Sequence, residues 1–219
     1  MVSGKDFKMK ISTIIPYVLN EDLEKEFFFS QWEYSNRKIC IVKIICDNGI
    51  VGWGEAYGPA PVVKESINYI KQNIIGMNPL DSDVVWSTLF RRVHDYGRSG
   101  VFVSAISAID IALWDIKGKA LDVPVYELLG GKVREKIPVY ANGWFEGLTT
   151  PEEHAKAAKE IVNSGYRCLK FYPFTGKYSI ENENLYYGIE LVQAVRDSVG
   201  ENIQIAIDIR GRVDYGSAI

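Results

Sequence analysis

Histidine and cysteine are scarce in this sequence, and their scarcity argues against several kinds of site. The chain of 219 residues contains two histidines and three cysteines. His94 and His154 are unrelated in spacing, so the sequence predicts neither a histidine metal cluster nor a Ser-His-Asp triad. Cys40, Cys46 and Cys168 are odd in number and lie in strand-like apolar stretches. This pattern predicts buried free thiols in a reducing cytoplasm rather than disulfides or a zinc site.

Long apolar runs and an excess of positive charge are also missing. The run "ICIVKIIC" is interrupted by Lys43 and is too short to cross a bilayer, and "MVSGKDFKMK" lacks the apolar core of a secretory signal. The net charge is −3 and no basic stripe is interleaved with aromatic residues. We therefore expect a cytoplasmic protein whose partners include neither nucleic acid nor a membrane.

The first part of the chain, residues 1–130, is predicted to be an α+β domain. "MKISTIIPYVL" and "KICIVKIICDNGIVGWGEA" are rich in strand-forming residues, and Asp47-Asn48-Gly49 supplies a tight turn. From Pro61 the pattern becomes helical. One helix is expected to pack through a single apolar face, formed by Phe102, Ile106, Ile109, Leu113, Ile116 and Ala120. Pro124 and Gly130-Gly131 end this pattern, and we place the domain boundary there.

The second part, residues 131–219, alternates predicted strands with predicted helices. The strands are "KIPVYANG", "RCLKFYPF" and "NIQIAIDI". One helix opens at Thr150-Pro151-Glu152-Glu153 and runs to about residue 163, and a second runs from Ile180 to Val199. Alternation of this kind predicts a parallel sheet with right-handed crossovers. A complete (β/α)8 barrel takes about 250 residues, whereas only 88 follow Gly131. We therefore expect a truncated barrel of three βα units that ends early in the third helix.

Functional groups in parallel α/β folds gather at the carboxyl ends of the strands. These positions hold Asn142, Lys170 with Tyr172, and Asp208 with Arg210. A strand-end carboxylate such as Asp208 suits Mg²⁺, although this position more often caps a helix or binds loop amides. Lys170 lies between two apolar residues. It is a desolvated base with a lowered pKa, an ammonium that neutralises a substrate carboxylate, or a side chain that reaches solvent.

Five stretches together resemble the mandelate racemase/muconate lactonizing branch of the enolase superfamily. They are "GIVGWGEA", "SAISAIDIALWDIKGKALDVPVYELLGG", "IPVYANG", "GYRCLKFYPF" and "IAIDIRGR", and they occur in the family's order. The long helical stretch with its "PVYELLGG" continuation is the most specific of them. The resemblance implies an N-terminal capping domain, followed by a TIM barrel whose strand ends hold one Mg²⁺.

The resemblance also implies a reaction and roles for individual residues. Such enzymes abstract a proton α to a carboxylate, and the metal stabilises the enediolate that results. Asp208 matches the family's first metal ligand. Lys170-Phe171-Tyr172 matches its K-x-K acid/base motif, in which Tyr172 here replaces the second lysine. Tyr172 is then the acid or base, or it positions the substrate. "KFYPF" is similar to the sugar-acid dehydratase members, so the expected substrate is an acid sugar.

Substrate contacts are expected from further positions that the resemblance suggests. Capping-domain loops shape specificity in this family, which makes Phe28, Trp32 and Tyr57 candidates; aromatic packing beneath a loop is the alternative. Arg210 and Asn142 are the candidates on the barrel side. The family's remaining metal ligands and opposite acid/base come from later strands, so the 219 residues alone are expected to be inactive. The full-length family commonly forms homo-oligomers.

Three alternatives remain open at the level of sequence. A racemase, epimerase or cycloisomerase of the same family differs from a dehydratase in whether water is lost. A non-catalytic remnant or interaction module would carry no Mg²⁺. An unrelated nucleotide-binding domain is disfavoured, because no strand is followed by G-x-G-x-x-G or a P-loop motif.

Overall fold

The computed structural model describes residues 9–29, 32–174 and 182–209, together with residues 211, 213 and 216. This part of the chain divides into two units. The first contains the residues up to Leu23 and Asn36–Val133, and the second contains Glu24–Ser35 and the residues from Arg134 onward.

A three-stranded sheet begins the fold, in the order β1 (Ile11–Phe29), β2 (Trp32–Cys46), β3 (Val51–Ala56). β2 and β3 are antiparallel, and the predicted turn joins them. Gly49 there has φ +86°, and the side chain of Asn48 accepts the amide of Ile50 at 3.1 Å. Residues 20–29, which belong to a stretch expected to be a loop of the capping domain, instead continue β1, and β2 starts at Trp32. Aromatic residues at 27–29 favour this extended conformation.

Four helices complete the first unit: α1 (Ala60–Ile70), α2 (Ser82–Gly97), α3 (Val101–Leu121) and α4 (Val125–Leu128). A short 3-10 turn, Lys71–Asn73, follows α1. The apolar residues predicted for α3 are buried or partly buried, and alanines on a second side of the helix are buried too. The buried surface of α3 is therefore wider than a single face, because α1, α2 and β3 all pack on it.

Two glycines let α3 lie directly against β3. A Cβ atom added at Gly54 would lie 1.9 Å from the carbonyl oxygen of Ala108, and one at Gly52 would lie 2.2 Å from that of Ala112. The carboxylate of Asp115 on the same helix accepts the backbone amide of Trp53 at 2.9 Å. The "GWGEA" stretch thus supplies the close contact between sheet and helix.

The second unit contains α5 (Pro151–Asn163), β4 (Cys168–Phe171), α6 (Asn182–Val199) and β5 (Gln204–Ile207). α5 begins as predicted. The Thr150 hydroxyl accepts the Glu153 amide at 3.2 Å, and the Glu153 carboxylate accepts the Thr150 amide at 3.0 Å, which forms a capping box. Apolar side chains of both helices, of β4 and of two residues outside these elements form the buried core of this unit: Ala141, Ala158, Leu169, Phe171, Leu191, Val195 and Ile203.

β4 and β5 are parallel, with Lys170 opposite Ala206. The first predicted strand, "KIPVYANG", contributes only an isolated parallel bridge between Ala141 and Leu169. Pro138 has no backbone N–H to donate to a ladder, and the side chains of Ile137 and Val139 are exposed. Three complete βα units are therefore not seen in the described residues, and the start of the predicted third helix lies mostly outside them.

Cys40 and Cys46 are buried free thiols, as predicted, and Cys168 is a partly buried one. Burial raises the pKa of both buried thiols. Among the described residues, no helix combines the length and the apolar character that crossing a membrane requires.

Candidate active site

The carboxyl ends of β4 and β5 place Lys170 beside Asp208. Leu169 and Phe171 are fully buried in the core of the second unit, and alternation along the strand turns Lys170, which lies between them, to the opposite face. Asp208 directly follows β5, where its backbone amide donates to the carbonyl of Phe171 at 3.0 Å. One more ladder bond thus extends the pairing and fixes the backbone that carries the carboxylate.

An ion pair joins the two side chains. Lys170 Nζ lies 2.9 Å from Asp208 Oδ2, and the two side chains are 20% and 23% exposed. The hydrogen bond to Asp208 raises the pKa of Lys170, partly opposed by desolvation. This direction is opposite to the one that burial alone would give, so Lys170 is an ammonium at neutral pH in this arrangement.

Aromatic rings flank the ammonium. Lys170 Nζ lies 5.7 Å from the ring centroid of Tyr140 and 5.6 Å from that of Tyr172, within the range of a cation–π interaction. The ring of Tyr172 meets that of Phe145 edge-on at 5.0 Å. Sequence reasoning selected Tyr172 but missed Tyr140. Tyr140 lies near the end of "KIPVYANG", immediately before the bridge residue Ala141, and this strand-end position could have identified it from the sequence.

Trp144 is a second residue that sequence reasoning missed. Its indole Nε1–H donates to the backbone carbonyl of Lys170 at 3.0 Å. The ring centroid lies 5.4 Å from that of Phe171 and 6.2 Å from that of the buried His154. His154 is itself held through Nδ1 by the carbonyl of Thr150 at 2.8 Å. A tryptophan directly after the first predicted strand was a signal visible in the sequence.

The other predicted site residues are not brought together by the described structure. Asn142 is exposed, one residue beyond the bridge at Ala141. Tyr57 follows β3 in the first unit and is 89% exposed. The side chains of Phe28 and Trp32, and all of Arg210, lie outside the described residues.

The residues present fit a magnesium ion only in part. The carboxylate of Asp208 is the kind of oxygen ligand that Mg²⁺ accepts, but Mg²⁺ usually takes more than one carboxylate or substrate oxygen. Within the part of the chain that the structure describes, no three His, Cys, Asp or Glu side chains are grouped to hold a metal. Asp208 is thus one candidate ligand rather than a complete site.

Known proteins match this chain in sequence and in structure. The family model described as mandelate racemase / muconate lactonizing enzyme, N-terminal domain, matches residues 16–130. A D-gluconate dehydratase of Thermoproteus tenax is 38% identical over 82% of this chain and 37% of its own length. A D-gluconate/D-galactonate dehydratase of Picrophilus torridus is 34% identical over 95% of this chain and 53% of its own length.

A solved structure carries a different activity in its name. The 3,6-anhydro-D-galactonate cycloisomerase from Zobellia galactanivorans aligns with a TM-score of 0.78 at 36% identity, over 95% of this chain and 53% of that one. The chain therefore spans about half, or less, of the length of the relatives it matches.

Proposed function

Because this chain belongs to the mandelate racemase/muconate lactonizing enzyme family of the enolase superfamily, we propose that it is part of a Mg²⁺-dependent sugar-acid dehydratase. Its first unit is the α+β capping domain of that family. The substrate proposed is an aldonate, such as the gluconate or galactonate in the names of its relatives. In the reaction, C2 loses a proton, the C3 hydroxyl departs as water, and the enol product becomes a 2-keto-3-deoxy acid.

The Lys170–Asp208 pair carries the proposal. It puts an ammonium and a carboxylate 2.9 Å apart at the carboxyl ends of adjacent parallel strands, where α/β folds place their reacting groups. A buried or half-buried pair of this kind costs desolvation free energy, so a structural role alone gives little reason for it. The tyrosine rings beside Lys170 leave the ammonium bounded by aromatic faces.

Asp208 would hold the Mg²⁺ together with carboxylates that these described residues do not supply. When bound, the ion would stabilise the negative charge that develops on the substrate carboxylate as the C2 proton leaves. Since one carboxylate is an incomplete ligand set, we propose that the 219 residues do not turn over substrate by themselves. The activity proposed is that of the whole protein.

Lys170 and Tyr172 are proposed as the groups that meet the substrate. An ammonium at Lys170 would orient and neutralise the substrate carboxylate. Tyr172, whose ring lies 5.6 Å from Lys170 Nζ, would act as the acid or base toward the substrate, or it would position the substrate. Asn142, Arg210, Tyr57, Phe28 and Trp32 remain proposed substrate contacts.

Further parts of the proposal concern architecture and assembly. We propose that residues 131–219 form the first βα units of a (β/α)8 barrel. The parallel β4–β5 pair and the bridge at Ala141 support this. A homo-oligomer in the cytoplasm is proposed as well, and the free thiols of Cys40 and Cys46 suit that compartment.

A cycloisomerase of the same family is the second candidate. The observation that favours it is the similarity to the Zobellia galactanivorans enzyme at 36% identity. The first chemical step, removal of the proton α to the carboxylate, would be shared. The two differ afterwards, because a cycloisomerase releases no keto acid formed by loss of water.

The test is a product assay on the protein as its gene encodes it. D-Gluconate and D-galactonate are supplied with Mg²⁺, and the 2-keto-3-deoxy acid is measured as its semicarbazone. A dehydratase gives keto acid, and removal of Mg²⁺ by a chelator abolishes it. Isotope exchange of the C2 proton with D₂O, without keto acid, would show the shared first step without loss of water and would contradict the dehydratase. If neither acid gives isotope exchange or product, the proposed function is contradicted.

Matched variants connect the activity to the site. Asp208→Asn and Lys170→Met should each lower kcat at least about a hundredfold, the order expected when a positioned electrostatic group is removed. Asp197→Asn makes the same charge change on α6, where the Asp197 carboxylate accepts an exposed hydrogen bond from Gln193, and should retain activity. If Asp208→Asn is as active as wild type, Asp208 does not have the proposed role as a Mg²⁺ ligand.

A further inference from the structure

The parallel ladder beside Lys170 is completed by a side chain. The Ala141 amide donates to the carbonyl of Cys168 at 2.9 Å, and the Lys170 amide donates to the carbonyl of Ala141 at 2.9 Å. In a regular parallel pair the next bond would run from the amide of Gly143 to the carbonyl of Lys170. Gly143 has φ +81°, a left-handed turn that takes the chain out of an extended course.

The indole of Trp144 supplies a donor to this carbonyl. Nε1–H lies 3.0 Å from the Lys170 oxygen, and tryptophan has this one polar group to satisfy when it is partly buried. The ring is half-buried against Phe171 and His154. Both backbone polar groups of Lys170 are therefore hydrogen-bonded. Its amide donates to the carbonyl of Ala141, and its carbonyl accepts from the indole of Trp144.

Fixing the strand backbone constrains the side chain that leaves from it. Lys170 has four methylene groups, so its ammonium reaches a defined point only if the backbone and the flanking rings restrict it. The backbone of Asp208 is fixed separately through the carbonyl of Phe171. Loss of the indole donor would leave the Lys170 carbonyl unsatisfied and would loosen this edge of β4.

We propose that Trp144 is a positioning residue, which holds Lys170 in reach of Asp208 through the Lys170 carbonyl. The inference rests on the proposed function for its effect on catalysis, but its structural part does not depend on that function. Trp144 acts on Lys170 and contributes no group to the chemistry itself.

Two replacements separate the hydrogen bond from the packing of the ring. Trp144→Phe keeps an aromatic ring against Phe171 but removes the donor. Site-specific incorporation of 3-benzothienylalanine at residue 144 keeps the whole bicyclic shape, since sulfur stands where the N–H was. Trp86→Phe is the control, because Trp86 stacks on Phe90 at 4.8 Å in the first unit.

In the protein as its gene encodes it, both replacements at residue 144 should lower kcat by about tenfold to a hundredfold, the cost of displacing a positioned group, and KM should rise as well, because Lys170 is proposed to bind the substrate carboxylate. Trp86→Phe should leave both constants unchanged. Full activity with benzothienylalanine, together with a loss in Trp144→Phe, would assign the effect to packing and overturn the proposal.

A spectroscopic measurement tests the positioning without any turnover. The ¹³C resonances of the Lys170 carbonyl and of the Asp208 side-chain carboxyl are recorded in the wild type and in both variants at residue 144. We expect both resonances to shift, because the Lys170–Asp208 contact changes with the strand. A shift at the Lys170 carbonyl alone, with the Asp208 carboxyl unmoved, would show that Trp144 does not position the pair. If wild type itself turns over no acid sugar, this measurement still decides the inference.

Discussion

Gly54→Ala should destabilise the first unit by an amount that follows from the contact between β3 and α3. The added methyl would lie 1.9 Å from the carbonyl oxygen of Ala108 and 3.0 Å from its carbonyl carbon. These are backbone atoms of a helix that is buried along several sides, so no side chain can rotate away. An ordinary contact starts near 3.4 Å, so the helix and strand would have to separate by about 1.5 Å.

The expected magnitude is a balance of two effects. Forcing an extra methyl into a packed contact costs about 1–3 kcal/mol and occasionally more; a clash with helix backbone belongs at the upper end. Alanine also reduces the entropy of the unfolded chain, which returns about 0.4–1 kcal/mol. The net loss in the free energy of unfolding should therefore be about 2 kcal/mol or more.

Denaturant unfolding followed by circular dichroism measures this loss. Glu55→Ala is the matched control, since Glu55 is the exposed neighbour of Gly54 on the same strand, and it should change stability by less than about 0.5 kcal/mol. Gly76→Ala tests backbone strain alone, because Gly76 has φ +84° with no atom within 4 Å of the added Cβ. An unchanged unfolding midpoint in Gly54→Ala would refute the reasoning.

Two other predictions concern a helix end and a buried thiol. Thr150→Ala should lower the free energy of unfolding by about 1 kcal/mol because the capping box of α5 is lost, and Thr150→Ser should restore it in the same denaturant assay. Burial, reinforced by the charge of Asp47, raises the pKa of the Cys46 thiol from 9.0 to about 11. The unfolded thiol ionises first, so the free energy of unfolding should fall as the pH rises from about 9 towards 11, and Cys46→Ala should lack this part of the fall.

Much of the local structure could be predicted because its causes lie within a few residues. The Asp47-Asn48-Gly49 turn, the capping box at Thr150 and the spacing along α3 each act over one turn of chain. The first barrel-like strand was predicted wrongly as a full strand. Its apolar residues match a strand pattern, but Pro138 and the exposed side chains around it leave only the bridge at Ala141.

The candidate site divides in the same way between sequence and structure. Strand-end positions and the family motifs selected Lys170, Tyr172 and Asp208, because alternation along a strand and the rule for parallel sheets need no coordinates. The sequence did not predict the roles of Tyr140 and Trp144, since their contacts with Lys170 depend on where each ring lies in the folded structure. The direction of the Lys170 pKa shift also depends on the contact with Asp208, which only the structure gives.

The sequence by itself determined most of the strands and helices, the capping box and the β2–β3 turn, and the family, since each depends on patterns of neighbouring residues. The tertiary structure decided which distant groups meet. It places Asp208 beside Lys170 and the Trp144 indole within hydrogen-bond distance of the Lys170 carbonyl. It also explains Gly52 and Gly54, which let β3 lie directly against α3. Such contacts depend on how strands pair and helices pack across the chain, and no local pattern of residues specifies that geometry.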